Sequence, residues 1–253
     1  NLVISGGLTT ARYAQNTGNL TGGGGLTVTN GFSQAAGTSI GLGGPVSITQ
    51  SSGNLAVGAI SAPSISLTAN NGSIAQVGAL STSGLLNLQA GSGIQLTDAG
   101  NKVARLSARV TGAGDVDLVN TGVLSLEGVT TGAGSIRLVN TGGVTTGKDS
   151  VAATGGGVSL KANSPLTVGD GGVSATGDVN LEATNLTSAG DVLLNGNVVS
   201  STGAVAITAA ASLSQNGKVT AAKGVTVAST GPITFGADAL TSGSPVSYLS
   251  NGR

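Results

Sequence analysis

Residues 112–122 read GAGDVDLVNTG and residues 132–142 read GAGSIRLVNTG, a nearly identical unit that returns after 20 residues. Val116, Leu118, Val119, Asn120, Thr121 and Gly122 recur as Ile136, Leu138, Val139, Asn140, Thr141 and Gly142. In each copy two apolar residues flank one polar residue, the alternation that turns one face of a strand into a core. So short a unit cannot bury an apolar face by itself. It must stack on copies of itself, as the units of a solenoid do.

The same opening recurs along the chain: Val46 with Ile48, Ile65 with Leu67, Leu86 with Leu88, Val116 with Leu118, Ile136 with Leu138, Val158 with Leu160, Val179 with Leu181, Val205 with Ile207, and Val225 with Val227. These openings lie 19, 21, 30, 20, 22, 21, 26 and 20 residues apart. The spacing predicts one column of strands, with the two long intervals as insertions at turns. A second column is expected at Leu80, Val129, Val173, Val199, Val219 and Leu240, and a third at Ile94, Leu124, Leu166 and Ile233. Three short strands per ~20 residues, joined by Gly, Asn, Asp and Ser corners, describe a three-sided parallel β-helix. About 12 such coils, each rising ~4.8 Å, give a rod roughly 60 Å long. In this reading residues 46–236 are the regular β-helix, 1–45 an irregular N-terminal or capping section, and 237–253 the C-terminal coil or end.

Composition agrees with a narrow interior. Only two Phe and two Tyr occur, and 39% of residues are apolar, mostly aliphatic and small. Ten acidic and ten basic residues cancel, which leaves no positive field for nucleic acid or an anionic membrane. No stretch reaches the ~18 apolar residues of a membrane span. Cys, His, Met and Trp are absent, so thiol and imidazole catalysis and the usual zinc, haem and iron–sulfur ligands are excluded. The chain opens at Asn1 without a signal-like segment, and is expected to be a processed product or part of something longer.

The run ISLTANNGSIAQVGALSTSGLLNLQAGSGIQLTDAGNKVARLSARVTGAGDVDLVNTGVLSLEG, residues 65–128, resembles the repeat region of filamentous haemagglutinin-like exoproteins, the β-strand-repeat adhesins of Gram-negative bacteria. The likeness extends over about 46–236. It implies a right-handed parallel β-helix, export by two-partner secretion, and a role in adhesion, aggregation or a surface filament. The asparagine–proline motifs that mark the family's secretion domain are missing here. The expectation is a structural, adhesive segment of a secreted or cell-surface protein, without catalysis. Its expected partners are other copies, surface glycans or host proteins, and no catalytic, cofactor-binding or metal-binding residue is assigned.

Several groups were candidates for more specific chemistry. Asp115, Asp178 and Asp191 sit in GDV and Asp170 in GDG; a calcium site would need such carboxylates stacked in successive turns, but Ser135 stands where the next coil would repeat Asp115. A polysaccharide-processing β-helix enzyme would draw on Asp170, Asp178, Glu182 and Lys161, which must converge within several ångströms. Lys102, Arg105 and Arg109 form one basic cluster, expected on a strand with both arginines outward. An ice- or surface-binding solenoid would need a flat grid of Thr-x-Thr in register, and Thr27, Thr29, Thr145 and Thr146 are not expected to make one. Asn120 and Asn140 are expected to stack as an amide ladder, and Asp117 and Arg137 to be outward neighbours one coil apart. The sequons at Asn19, Asn71 and Asn185 permit glycosylation. Two distributions stand out: no charge occurs between Arg12 and Asp98, and the aromatics Tyr13, Phe32, Phe235 and Tyr248 lie near the two ends. A neutral face or the ends could then contact other copies.

Overall fold

The computed structural model describes residues 1–185 and 191–251. All regular elements among them are β-strands, and they pair in parallel. They stack as a β-solenoid of about 12 coils of about 20 residues. Two consecutive coils show the plan. Val144–Thr146, Val151–Ala153 and Val158–Ala162 lie on three sides of one coil, and Leu166–Val168, Val173–Ala175 and Val179–Ala183 on the same sides of the next. Val144 stands against Leu166, Val151 against Val173, and Val158 against Val179.

Alternation within each strand decides what goes inside. Leu166, Val168, Val173, Ala175, Val179, Leu181 and Ala183 point into the rod and are 5% exposed or less. Each buried aliphatic side chain contributes ~1.5–3 kcal/mol, against a backbone entropy cost of ~1–2 kcal/mol per residue, so a coil is stable only between its neighbours. The stack reaches back to Leu2, whose strand pairs with Leu20, and Leu20 with Ile40.

The tandem unit stacks as its sequence predicts. Val116 lies against Ile136, Asp117 against Arg137, Leu118 against Leu138 and Asn120 against Asn140. Its glycines are fixed by crowding more than by backbone angle. A Cβ on Gly114 would lie 1.6 Å from the Ser92 carbonyl oxygen, and one on Gly134 2.1 Å from that of Gly114. Only Gly122 of this unit has a positive φ, at 97°.

The single column expected through all the openings is not one column. Leu86 does not precede Val116. Leu86 pairs with Leu106, 20 residues on, whereas Val116 stacks on Ile94. Up to Ala90 the five-residue strands, Val46–Gln50 and Ile65–Ala69, occupy the second side and reach past its near corner. Ile48, Leu67 and Leu88 lead to Val129 and Val151, whereas Val46, Ile65 and Leu86 lead through Leu106 and Leu126 to Thr146 of the first side. The third side holds the shorter Leu55–Val57, Ser73–Gln76 and Gly93–Leu96. From Val116 onward the five-residue strands are on the third side and the second side carries three-residue strands such as Val151–Ala153. The 30-residue interval is therefore a change of side, and no insertion lies within it. Ile94 likewise belongs with Val116 and not with Leu124. In the column of Val173, the inward residue is Val198 and not Val199. The 26-residue interval is a genuine longer coil, since Val179 pairs directly with Val205.

Where the long strand changes side, bulges interrupt the ladder between Thr82 and Leu85 and between Leu106 and Ala108. Here the interior corner is filled by amides. Asn101, Asn120 and Asn140 are at most 3% exposed. Asn101 Nδ2 donates to Gln76 Oε1 at 2.9 Å and Gln76 Nε2 donates back to Asn101 Oδ1 at 2.9 Å. Asn120 Oδ1 accepts the Val103 N–H at 2.8 Å, and Asn120 Nδ2 donates to the Val103 carbonyl at 3.1 Å and to Asn140 Oδ1 at 3.0 Å. The corner thus satisfies backbone groups that the shifting ladder leaves without strand partners. Beyond Asn140 the same position is Ala162, Ala183 and Ala209.

Candidate functional site

The carboxylates of the GDV motifs are corner ties between coils. Asp115 Oδ1 accepts the Ser135 N–H at 2.7 Å, and Asp178 Oδ1 accepts the Ala204 N–H at 2.8 Å. Ser135 Oγ does the same one coil later, accepting the Gly157 N–H at 3.1 Å. Asn54 makes the equivalent bond to Ser73 at the same corner, and Asn197 makes one to Lys218 at the corner before the second side, so a short acceptor is what these corners select. Asp191 bonds the Ser212 hydroxyl. Among the described residues no group of three or more acidic side chains is placed to hold a metal ion.

The candidates for hydrolytic chemistry are spread out. Asp170 and Asp178 are exposed at separate corners, and Glu182 is engaged by Lys161, whose Nζ lies 2.8 Å from its Oε1. The basic cluster lies on the strand Lys102–Val110 with Lys102, Arg105 and Arg109 outward, as its alternation predicts. Arg105 Nε is 3.1 Å from Glu127 Oε1. That carboxyl is held below its ordinary value by hydrogen bonds from Arg105 and then Ser125. Asp117 shows the opposite shift, raised by burial and by the neighbouring Asp115 and only partly offset by Arg137. Asp117 and Arg137 are register neighbours as expected, yet they are not within ion-pair distance. With Thr97, Val119 and Val139 they line a shallow hollow of about 250 Å³.

The aromatics sit in the outermost coils. Tyr13 and Phe32 stack with ring centres 5.9 Å apart, and Phe235 meets Tyr248 edge-on at 5.2 Å. Asn19 and Asn71 are exposed; the Asn185 sequon runs into residues outside those described. No helix of the described residues is long and apolar enough to cross a membrane.

One arrangement was missed by sequence reasoning. Thr27 does belong to a column. Thr9, Thr27, Ser47, Ser66 and Asn87 stand one above the next on the outside of the second side. Thr49, Thr68 and Gln89 form a second column two residues along, and Thr29 follows Thr27 on its own strand just past Val28, the last residue paired with the next coil. The signal was present as T-x-T, S-x-T and S-x-T at 27–29, 47–49 and 66–68. It is obscured because the first column passes from threonine to serine to asparagine and the second from threonine to glutamine, so no single residue type repeats from coil to coil.

Among known families, one described as repeats of unknown function (DUF5649) matches residues 43–108, about a quarter of the chain. No curated protein and no solved structure matches. That match and the stacked coils make the chain a β-solenoid repeat protein.

Proposed function

We propose that this solenoid is a structural, adhesive segment of a secreted or cell-surface bacterial exoprotein, serving as a stalk or filament element, and that it performs no catalysis. The observation that carries this reading is where the polar chemistry goes. Asp115, Asp178, Asn54 and Asn197 are used to tie one coil to the next, and Glu182 and Glu127 are held in outward ion pairs. Side chains deployed this way stiffen a rod. The likeness of residues 65–128 to filamentous haemagglutinin-like repeats supports an exported, adhesive role, with two-partner secretion as its route.

Display of the chain on the surface of a non-adherent bacterium tests the reading. Attachment to host cells or clumping of the displaying bacteria above the level of cells lacking the chain is expected. No gain in either would overturn the adhesive role. Release of reducing ends from soluble polysaccharides by the purified chain would overturn the absence of catalysis.

A further inference from the structure

We propose that the second side between Leu26 and Ala90 is a docking face for an uncharged polysaccharide presented as a packed, insoluble surface. The proposal rests on the adhesive reading above and names the face and the class of partner.

Three observations converge on this side. The first is register: Thr27, Ser47, Ser66 and Asn87 form one outward column, and Thr49, Thr68 and Gln89 another. Rows are about 4.8 Å apart along the rod, and the columns about 6.7 Å apart across it. A strand needs at least five residues to present two such columns, and on this side the later coils carry three-residue strands such as Val151–Ala153. Serine and arginine, Ser107 and Arg109, end the pattern.

The second is availability. None of Thr27, Thr29, Ser47, Thr49, Ser66, Thr68, Asn87 and Gln89 forms a side-chain hydrogen bond to the protein, although Thr131, Thr154, Thr176 and Thr202 at the corners all donate to carbonyls of other coils. The grid hydroxyls and amides therefore keep their full donor and acceptor capacity. Their positions are set rigidly, because the residues between them, Val28, Ile48, Leu67 and Leu88, are buried to 2% exposure or less.

The third is charge. The grid lies within the stretch from Tyr13 to Thr97 that contains no Asp, Glu, Lys or Arg. A face without charge gains nothing from phosphates, sulfates or uronates. It also lacks the buried aromatic and arginine anchors that protein partners use. What matches it is a partner carrying hydroxyls that both donate and accept, repeated at short intervals and held flat. Single hydroxyl contacts are weak in water, so affinity comes from many engaging together on two pre-ordered surfaces.

Depletion from solution by microcrystalline cellulose tests the proposal, with attachment to host cells measured in parallel. The chain is expected to partition onto cellulose. The variants T29V/T49V/T68V and T49K/T68K should each lower that partition about tenfold, while T145K/T167K, on a side with a single column, should leave it unchanged. Valine suits a strand, so the triple-valine variant decides if the lysine variant fails to fold. Equal binding by wild type and valine variant would overturn the face. A wild-type chain that stays in solution beside cellulose but attaches to cells would overturn the polysaccharide and leave the adhesive reading standing. Failure of both would overturn the reading beneath it. Arrest of ice-crystal growth without cellulose binding would also overturn it, since the lattice engaged would be ice.

Discussion

The coils up to Ala90 and those from Val116 onward share one plan but distribute their strand length differently. In the first region five-residue strands face outward on the second side with neutral hydroxyls and amides. In the other, the long strands are on the third side, and their outward positions include Asp117, Arg137, Lys161 and Glu182. The same inward alternation therefore supports two different exteriors. A solenoid can change what it shows to solvent by moving its longest strand to another side, provided the corner between the regions is filled. Asn101 and Asn120 fill it here.

If that junction is a specialised corner, it should be the most sensitive place in the rod. Asn120→Leu removes the partners of the Val103 N–H and carbonyl together. Each buried group left unpaired costs ~1–3 kcal/mol, so a loss of about 3–5 kcal/mol is expected in urea unfolding. Hydrogen exchange should show protection lost first around Asn101 to Val123. An unchanged midpoint would mean the junction is no different from the coils around it.

In the later region the corresponding weakness is ordinary packing. Leu181→Ala should cost ~2–4 kcal/mol through the cavity it leaves, with exchange increasing in the adjoining coils and not at the junction. Spread of the effect to Leu26–Ala90 would show that the two regions unfold as one cooperative unit.

Smaller effects separate the two perturbed carboxyls. The depressed pKa of Glu127 means its ion pair stabilises the fold above the ordinary value of 4.5 and loses that contribution as pH falls through the folded-state value. Glu127→Gln should therefore destabilise at neutral pH, by no more than ~1 kcal/mol for so exposed a pair, and the difference should disappear as the pH falls through the folded-state value. The raised pKa of Asp117 has the reverse sign: its contribution is present below the ordinary value of 3.8 and is lost as pH rises through the folded-state value. Asp117→Asn should give a slight gain at neutral pH, under ~1 kcal/mol, that vanishes at pH 3. Stability curves of the two variants against pH should thus diverge in opposite directions from the parent. Curves moving the same way would refute the assigned causes.

The coil plan was legible because the tandem unit places Val116, Leu118 and Asn120 above their counterparts, and identical neighbours in a parallel stack leave no alternative register. The ladder of Asn120 and Asn140 and the outward arginines followed from the same alternation. The change of side was not legible. Leu86 with Leu88 and Val116 with Leu118 carry the same pattern, and nothing in a strand's own residues says which side of a coil it occupies. Only the intervening Leu106, whose strand begins with Lys102 and reads as a charged interruption, reveals the missing partner. The hydroxyl grid was hidden for a related reason: its columns depend on register across coils, whereas Thr27 and Thr29 viewed alone look like any polar strand.

The pairing of Asn87 with Ser107, on which both the change of side and the neutral grid depend, can be measured directly in this cysteine-free chain. Neighbouring strands place such residues within disulfide reach. Under mild oxidation N87C/S107C is expected to form an intramolecular disulfide, and N87C/D117C to remain reduced. A disulfide in the second variant and none in the first would put Leu86 beneath Val116 and contradict the account.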